Sequence, residues 1–165
     1  MNEVSMSKLH PKGAHSQKQG AHHTIRRDVY KPRIMTRLLI VAAGGAIGAV
    51  ARYGVGVWAV RLFPASNWPW GTLAVNVFGG LLMGLLTGWL AFRGGLNSES
   101  IRLFAAVGVL GGFTTFSAFS LETALMIERR QFAMAGGYAA LSVVLSVAAL
   151  FLGLMVARRA FGAAL

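Results

Sequence analysis

The chain contains no cysteine. Disulfides and thiolate metal sites are therefore excluded. Acids are nearly as scarce, with five Asp and Glu against sixteen Lys and Arg, and only 13% of the 165 residues are charged. Proline occurs four times. No P-loop is present, so no ATP-driven step is indicated. What remains is apolar: 55% of the residues are hydrophobic, too many for an ordinary soluble domain with so few charges.

A formal net charge of +11 suggests a nucleic-acid partner until its distribution is examined. Lys8, Lys12, Lys18, Arg26, Arg27, Lys31, Arg33 and Arg37 all precede the first apolar run. Arg61, Arg93, Arg102, Arg129, Arg130, Arg158 and Arg159 stand at or near the ends of apolar runs. That is the flanking pattern of membrane spans, not a basic groove, and no nucleic-acid partner is expected.

Residues 1–34 are polar, carry His10, His15, His22 and His23 without regular ligand spacing, and show no hydrophobic period. They read as a disordered basic extension. They do not have the form of a secretory signal. Met35-Thr36-Arg37 has the form of a protein start, so the residues before it are either a real tail or lie upstream of the working start. Residues 35–165 form the second region. Four apolar segments, over 38–62, 70–92, 101–127 and 132–156, each supply the ~20 residues that a bilayer-spanning helix needs. The connections are too short for a soluble domain, and Trp68 and Trp70 suit an aromatic belt at the membrane interface. Gly44 with Gly48, Gly80 with Gly84 and Gly88, and Gly108 with Gly112 are spaced by four, as closely packed membrane helices require. The thin core of one such subunit predicts oligomerisation.

The third apolar segment holds Gly111-Gly112-Phe113-Thr114-Thr115-Phe116-Ser117-Ala118-Phe119-Ser120 near its middle. Lipid tolerates broken helix only where protein or a cavity covers it. A break there offers carbonyls and hydroxyls to a small ion. Arg52 lies in the middle of the first segment, where an Arg costs ~2.5–3.5 kcal/mol, so it should face water, an anion or a carboxylate. Glu122 can pair with Arg52 or cap the broken helix. Thr72 and Asn76 share a face of the second segment, and Tyr138, Ser142 and Ser146 a face of the fourth. A lone span serine usually bonds its own i−4 carbonyl, whereas an Asn amide cannot be satisfied so locally. Phe116 and Phe119 share a face directly after the break. Their ring edges are electropositive, so they can approach a small anion without the hydration cost of a full charge. Two stripes of neutral donors beside a break predict a track for a small anion.

Three motifs in order on the four segments carry a resemblance: Gly44-Gly45-Ala46-Ile47-Gly48-Ala49-Val50-Ala51-Arg52-Tyr53, Gly71-Thr72-Leu73-Ala74-Val75-Asn76, and the third-segment run continued to Leu121-Glu122. Over residues 35–159 the chain resembles the CrcB/Fluc fluoride channels. The resemblance implies a non-enzymatic, fluoride-specific channel of the cell inner membrane that exports cytoplasmic fluoride passively. It implies an all-α membrane fold of four transmembrane helices, the third broken near its middle, in an antiparallel, dual-topology homodimer with two pathways. A pair of oppositely oriented related chains is the alternative. By the same resemblance, carbonyls at Gly111 and Thr114 of both subunits hold a structural sodium ion (Na+) on the dimer axis. Phe116 and Phe119 line the pathways with ring edges, Asn76 donates to fluoride, and Thr72, Tyr138, Ser142 and Ser146 match a polar track. Arg52 matches an arginine of the vestibule. Ala118 stands where a threonine is usual. Two other readings are a small multidrug-type transporter, which needs an acid in its first span, and a structural membrane protein without transport. The first segment offers Arg52 and no acid.

Overall fold

A computed structural model describes residues 14–92 and 98–162, with side chains described from residue 33 onward. The expectation of disorder over 1–34 lies in part outside those residues, and the backbone is helical from Ala14. The chain divides into two compact units, Met1–Thr36 and Arg37–Leu165.

Among the described residues there are helices and no strands. Helix α1 covers Ala14–Leu62, α2 Trp70–Phe92, and α3 Ser98–Ile101. A π-helical stretch, Arg102–Leu110, leads into α4 (Gly111–Phe113), which is followed by α5 (Phe116–Glu128) and α6 (Phe132–Gly162). Four helical stretches are long and apolar enough to cross a membrane: Arg33–Leu62, Trp70–Phe92, Ser98–Glu128 and Phe132–Gly162. The second matches its expected bounds, and the others extend the expected segments by one to six residues at an end.

The first and third connections are closed by local chemistry. In the first, the Ser66 hydroxyl accepts from the Trp68 backbone N–H at 3.1 Å and from Trp70 Nε1 at 3.0 Å. The Trp68 backbone and the Trp70 indole are thereby held at the start of α2. In the third, the Gln131 N–H reaches back to the Met126 carbonyl and the Arg130 N–H to that of Ile127, both at 2.9 Å. This double closure needs a left-handed residue, supplied here by Arg130 at φ 58° where glycine is usual.

The glycine spacing produces two seams where helix backbones touch. A Cβ at Gly44 would stand 2.5 Å from the Phe104 carbonyl, and one at Gly112 2.5 Å from that of Gly45. One at Gly48 would overlap the Val109 carbonyl. α1 thus lies directly on the first half of the third span. α2 and α6 form a second extensive helix pair. A Cβ at Gly84 would overlap the Leu150 carbonyl, and one at Gly153 that of Leu81. Small residues allow this approach, and dispersion and packing hold it where no hydrophobic force exists between helices in lipid.

The core is small. Leu73, Met126, Ala135 and Tyr138 are buried together, with Trp68, Val77, Phe119 and Met134 packed against them. At most 28% of the residues in the most apolar stretch of any span are buried within the chain. The remaining apolar surface is available to lipid or to another subunit.

Candidate functional site

The third span is interrupted at Thr114 and Thr115. Thr114 is extended at φ −76°, ψ 156°, and Thr115 at φ −149°, ψ 122°. The glycines at 111 and 112 are themselves helical or capping residues, so the interruption falls just after them. Two interactions hold it open. The Thr115 side chain caps α5 by accepting from the Ala118 N–H at 3.2 Å, which is standard N-cap chemistry. From α2, the Asn76 amide clamps the Thr115 peptide at both ends. Its Oδ1 accepts from the Thr115 N–H at 2.8 Å, and its Nδ2 donates to the Thr115 carbonyl at 3.0 Å. The Thr115 N–H is thereby turned away from the Gly111 carbonyl four residues back, its partner in an unbroken helix. Thr114 donates from N and Oγ1 to the Leu110 carbonyl, at 3.0 and 2.9 Å. Its methyl lies where a Cβ at Gly79 would stand, so only glycine lets α2 approach the break.

Two cavities flank the clamp. The first, about 420 Å³, is lined by Asn76, Thr114, Phe116, Phe119, Ser142 and Ser146 among others. No charged side chain lines it. The hydroxyls of Ser142 and Ser146 are buried and have no hydrogen-bond partner among the described residues. They do not bond their own i−4 carbonyls, the usual arrangement for span serines. An Asn amide carries two N–H donors, and the clamp uses one of them. The rings of Phe116 and Phe119 lie 5.5 Å apart at 41°. Phe119 continues onto Tyr138 at 5.3 Å, whereas Phe116 is 77% exposed.

The second cavity, about 280 Å³, is lined by Arg52, Trp68, Thr72, Ala118 and Glu122 among others. Thr115 lines both cavities. Glu122 accepts from Thr72 Oγ1 at 2.6 Å and from the Tyr138 hydroxyl at 2.7 Å. No ion pair joins it to Arg52. A carboxylate at this depth is satisfied by two hydroxyl donors, one from α2 and one from α6. Ala118 shares this cavity with the carboxylate, so the hydroxyl of a threonine there would have faced the same space.

The residues singled out by sequence therefore separate into groups. Asn76, Phe116, Phe119, Ser142, Ser146 and Thr114 meet at one cavity, and Arg52 and Thr72 meet at the other. Tyr138 is fully buried, lines neither, and bridges to Glu122. Gly111 lies at the exposed surface of the break and lines neither cavity. Sequence reasoning missed Thr115 as the clamped peptide and Glu122 as the shared acceptor. Partners on three different helices leave no periodic signal. The one available clue was numerical: a single acid at membrane depth between two hydroxyl stripes. Among the described residues, no group of three His, Cys, Asp or Glu comes together as a metal site.

Four apolar spans with a polar interruption in the third define a multi-pass membrane protein. Residues 39–154 match the family model described as CrcB-like protein, Camphor Resistance (CrcB), and the chain belongs to that family. It is 67% identical over 127 residues to a protein of Caulobacter sp. (strain K31), covering 77% of this chain and 98% of that one. It is 61% identical over 127 residues to proteins of Caulobacter vibrioides (strain NA1000 / CB15N) and Phenylobacterium zucineum (strain HLK1), each covering 77% of this chain and 99% of the relative. All three relatives carry the name "Fluoride-specific ion channel FluC". The family is one of ion channels, not enzymes.

Proposed function

We propose that this chain is a fluoride-specific channel that lets cytoplasmic fluoride leave the cell passively across the inner membrane. The observation that carries the reading is the uncharged cavity beside the break. There one amide N–H of Asn76, two unpartnered serine hydroxyls and two phenylalanines converge. Fluoride is small and strongly hydrated, so a pore must replace its water with donors. Neutral donors do so without the trapping that a fixed cation would impose. The edges of Phe116 and Phe119 add a weak electropositive surface. Arg52 draws the anion to the second cavity, and Glu122, tied to Thr72 and Tyr138, keeps those hydroxyls oriented. Fluoride enters cells as neutral HF and accumulates as the anion. The membrane potential then drives it out, one charge being worth ~2.3 kcal/mol per 100 mV.

The working unit in this reading is an antiparallel homodimer with two pathways, each using the break of one subunit. The exposed apolar surface of the spans and the exposure of Phe116 support a second subunit. In this reading a sodium ion would sit between the two breaks. The Gly111 carbonyl has lost its helical donor to the Asn76 clamp and lies at the surface. Two carbonyls from one chain are too few for a cation, so Gly111 and Thr114 of both copies would hold it. The ion would supply charge balance that fixes the two breaks against each other.

Expression in a bacterium lacking its own fluoride exporter tests the proposal. Growth on fluoride medium should be restored, and growth on a cationic drug such as ethidium should not. Drug resistance without fluoride resistance would favour the multidrug-type transporter, and neither would favour a structural role.

A further inference from the structure

Taken as four membrane crossings, the spans would put the segment before residue 33, the second connection and the C-terminal end on one side of the membrane. From Met35 onward that side carries Arg37, Arg93, Arg102, Arg158 and Arg159, and the other side carries Arg61, Arg129 and Arg130. An excess of two is small, and the positive-inside rule then lets a chain insert either way. Arg26, Arg27, Lys31 and Arg33 change the balance to nine against three. They lie within the ~15–20 residues of a span end over which basic residues act. The same spans thus have two insertion preferences, set by whether the N-terminal residues are present.

A second observation marks where the change falls. The relatives are matched over 98–99% of their own length by 127 residues, which is 77% of this chain. The family match begins at residue 39, so most of the surplus precedes it.

We infer that the basic residues 26–33 are a topogenic signal that fixes the 165-residue chain with its N-terminus inside, and that the oppositely oriented subunit of the dimer is a copy of this chain begun at Met35. The inference rests on the antiparallel-dimer reading above. A long copy alone cannot supply both orientations. A short copy can insert in either. The channel's assembly then depends on the ratio of the two forms.

The test uses the 165-residue chain with Met35→Leu, the chain begun at Met35, and the Met35→Leu chain with Arg26, Arg27, Lys31 and Arg33 all changed to Gln. Each carries a C-terminal tag and, in parallel, reporters active on only one side of the membrane. The Met35→Leu chain should report from the inside by about tenfold over the outside. The short chain and the Gln chain should report from both sides within about threefold. Immunoblots should show a short form from the unchanged gene and none after Met35→Leu. Fluoride efflux from cells should be lost with Met35→Leu and restored by co-expressing the short chain. Two-sided reporting by the Met35→Leu chain, one-sided reporting by the short chain, or a short form that survives Met35→Leu would each overturn the inference. If the fluoride reading itself is wrong, the reporters behave as expected while no form moves fluoride.

Discussion

Asn76 does two things with one amide, and they can be separated. Its oxygen and one N–H clamp the Thr115 peptide, and the second N–H is left for the cavity. Asn76→Asp keeps the shape and the acceptor, removes both donors and places a negative charge beside the track. We predict a folded protein whose unfolding is weakened by about 1–3 kcal/mol, the scale of a buried group left without its partner, and whose fluoride efflux falls to background. Thermal unfolding in detergent and a fluoride electrode check the two parts, and wild-type efflux would remove Asn76 from the pathway. The phenylalanines differ from each other in a way their spacing did not show. Phe119 packs on Tyr138 and the core, whereas Phe116 is mostly exposed in one chain. Both Phe116→Ile and Phe119→Ile should slow efflux, by about fivefold if an edge contact is worth about 1 kcal/mol of barrier. Only Phe119→Ile should also lower the unfolding temperature of the subunit, and normal efflux in both would contradict the ring-edge role. At this scale the sequence disclosed which side chains matter better than what they touch. Thr72 and Tyr138 were legible as members of two separate donor stripes, but their shared acceptor, Glu122, lies on a third helix and outside any local period.

The third span shows how far an element can be read in advance. Two glycines followed by two threonines announced a break, yet the break sits at the threonines. Gly112 meets the Gly45 carbonyl, so that glycine serves the contact with α1, and the interruption is set by the Asn76 clamp. The π-helical stretch before it had no signal in composition. The glycine seams were legible as spacing by four, whereas the partner of each seam was not, because spacing gives a face without naming what it meets. A prediction follows at this scale. Gly48→Ala places a Cβ onto the Val109 carbonyl, whereas Gly54→Ala meets nothing within 4 Å. Gly48→Ala should destabilise by about 1–3 kcal/mol through overpacking. Gly54→Ala should be neutral or stabilising by up to about 1 kcal/mol, as alanine is the better helix former. Comparable unfolding temperatures for the two variants would show that α1 does not lie backbone to backbone on the third span.

For the whole molecule, the physics of the bilayer decides most of what is seen. Backbone groups must be satisfied within the membrane, so four helices and a break in the third were legible from apolar length and from one polar run. Assembly was not, since a chain that buries so little of its own apolar surface is compatible with lipid, with a copy or with a relative on the same faces. The cavities are properties of one chain, and the account's central claim is that the uncharged one conducts fluoride selectively and without an energy source. Fluoride and chloride efflux from liposomes reconstituted with the purified protein tests this most directly, with a potassium ionophore added to release the opposing charge. The account predicts rapid fluoride efflux only after the ionophore is added, and chloride efflux no faster than from empty vesicles. Fluoride that stays inside, or chloride that leaves at the same rate, would contradict it.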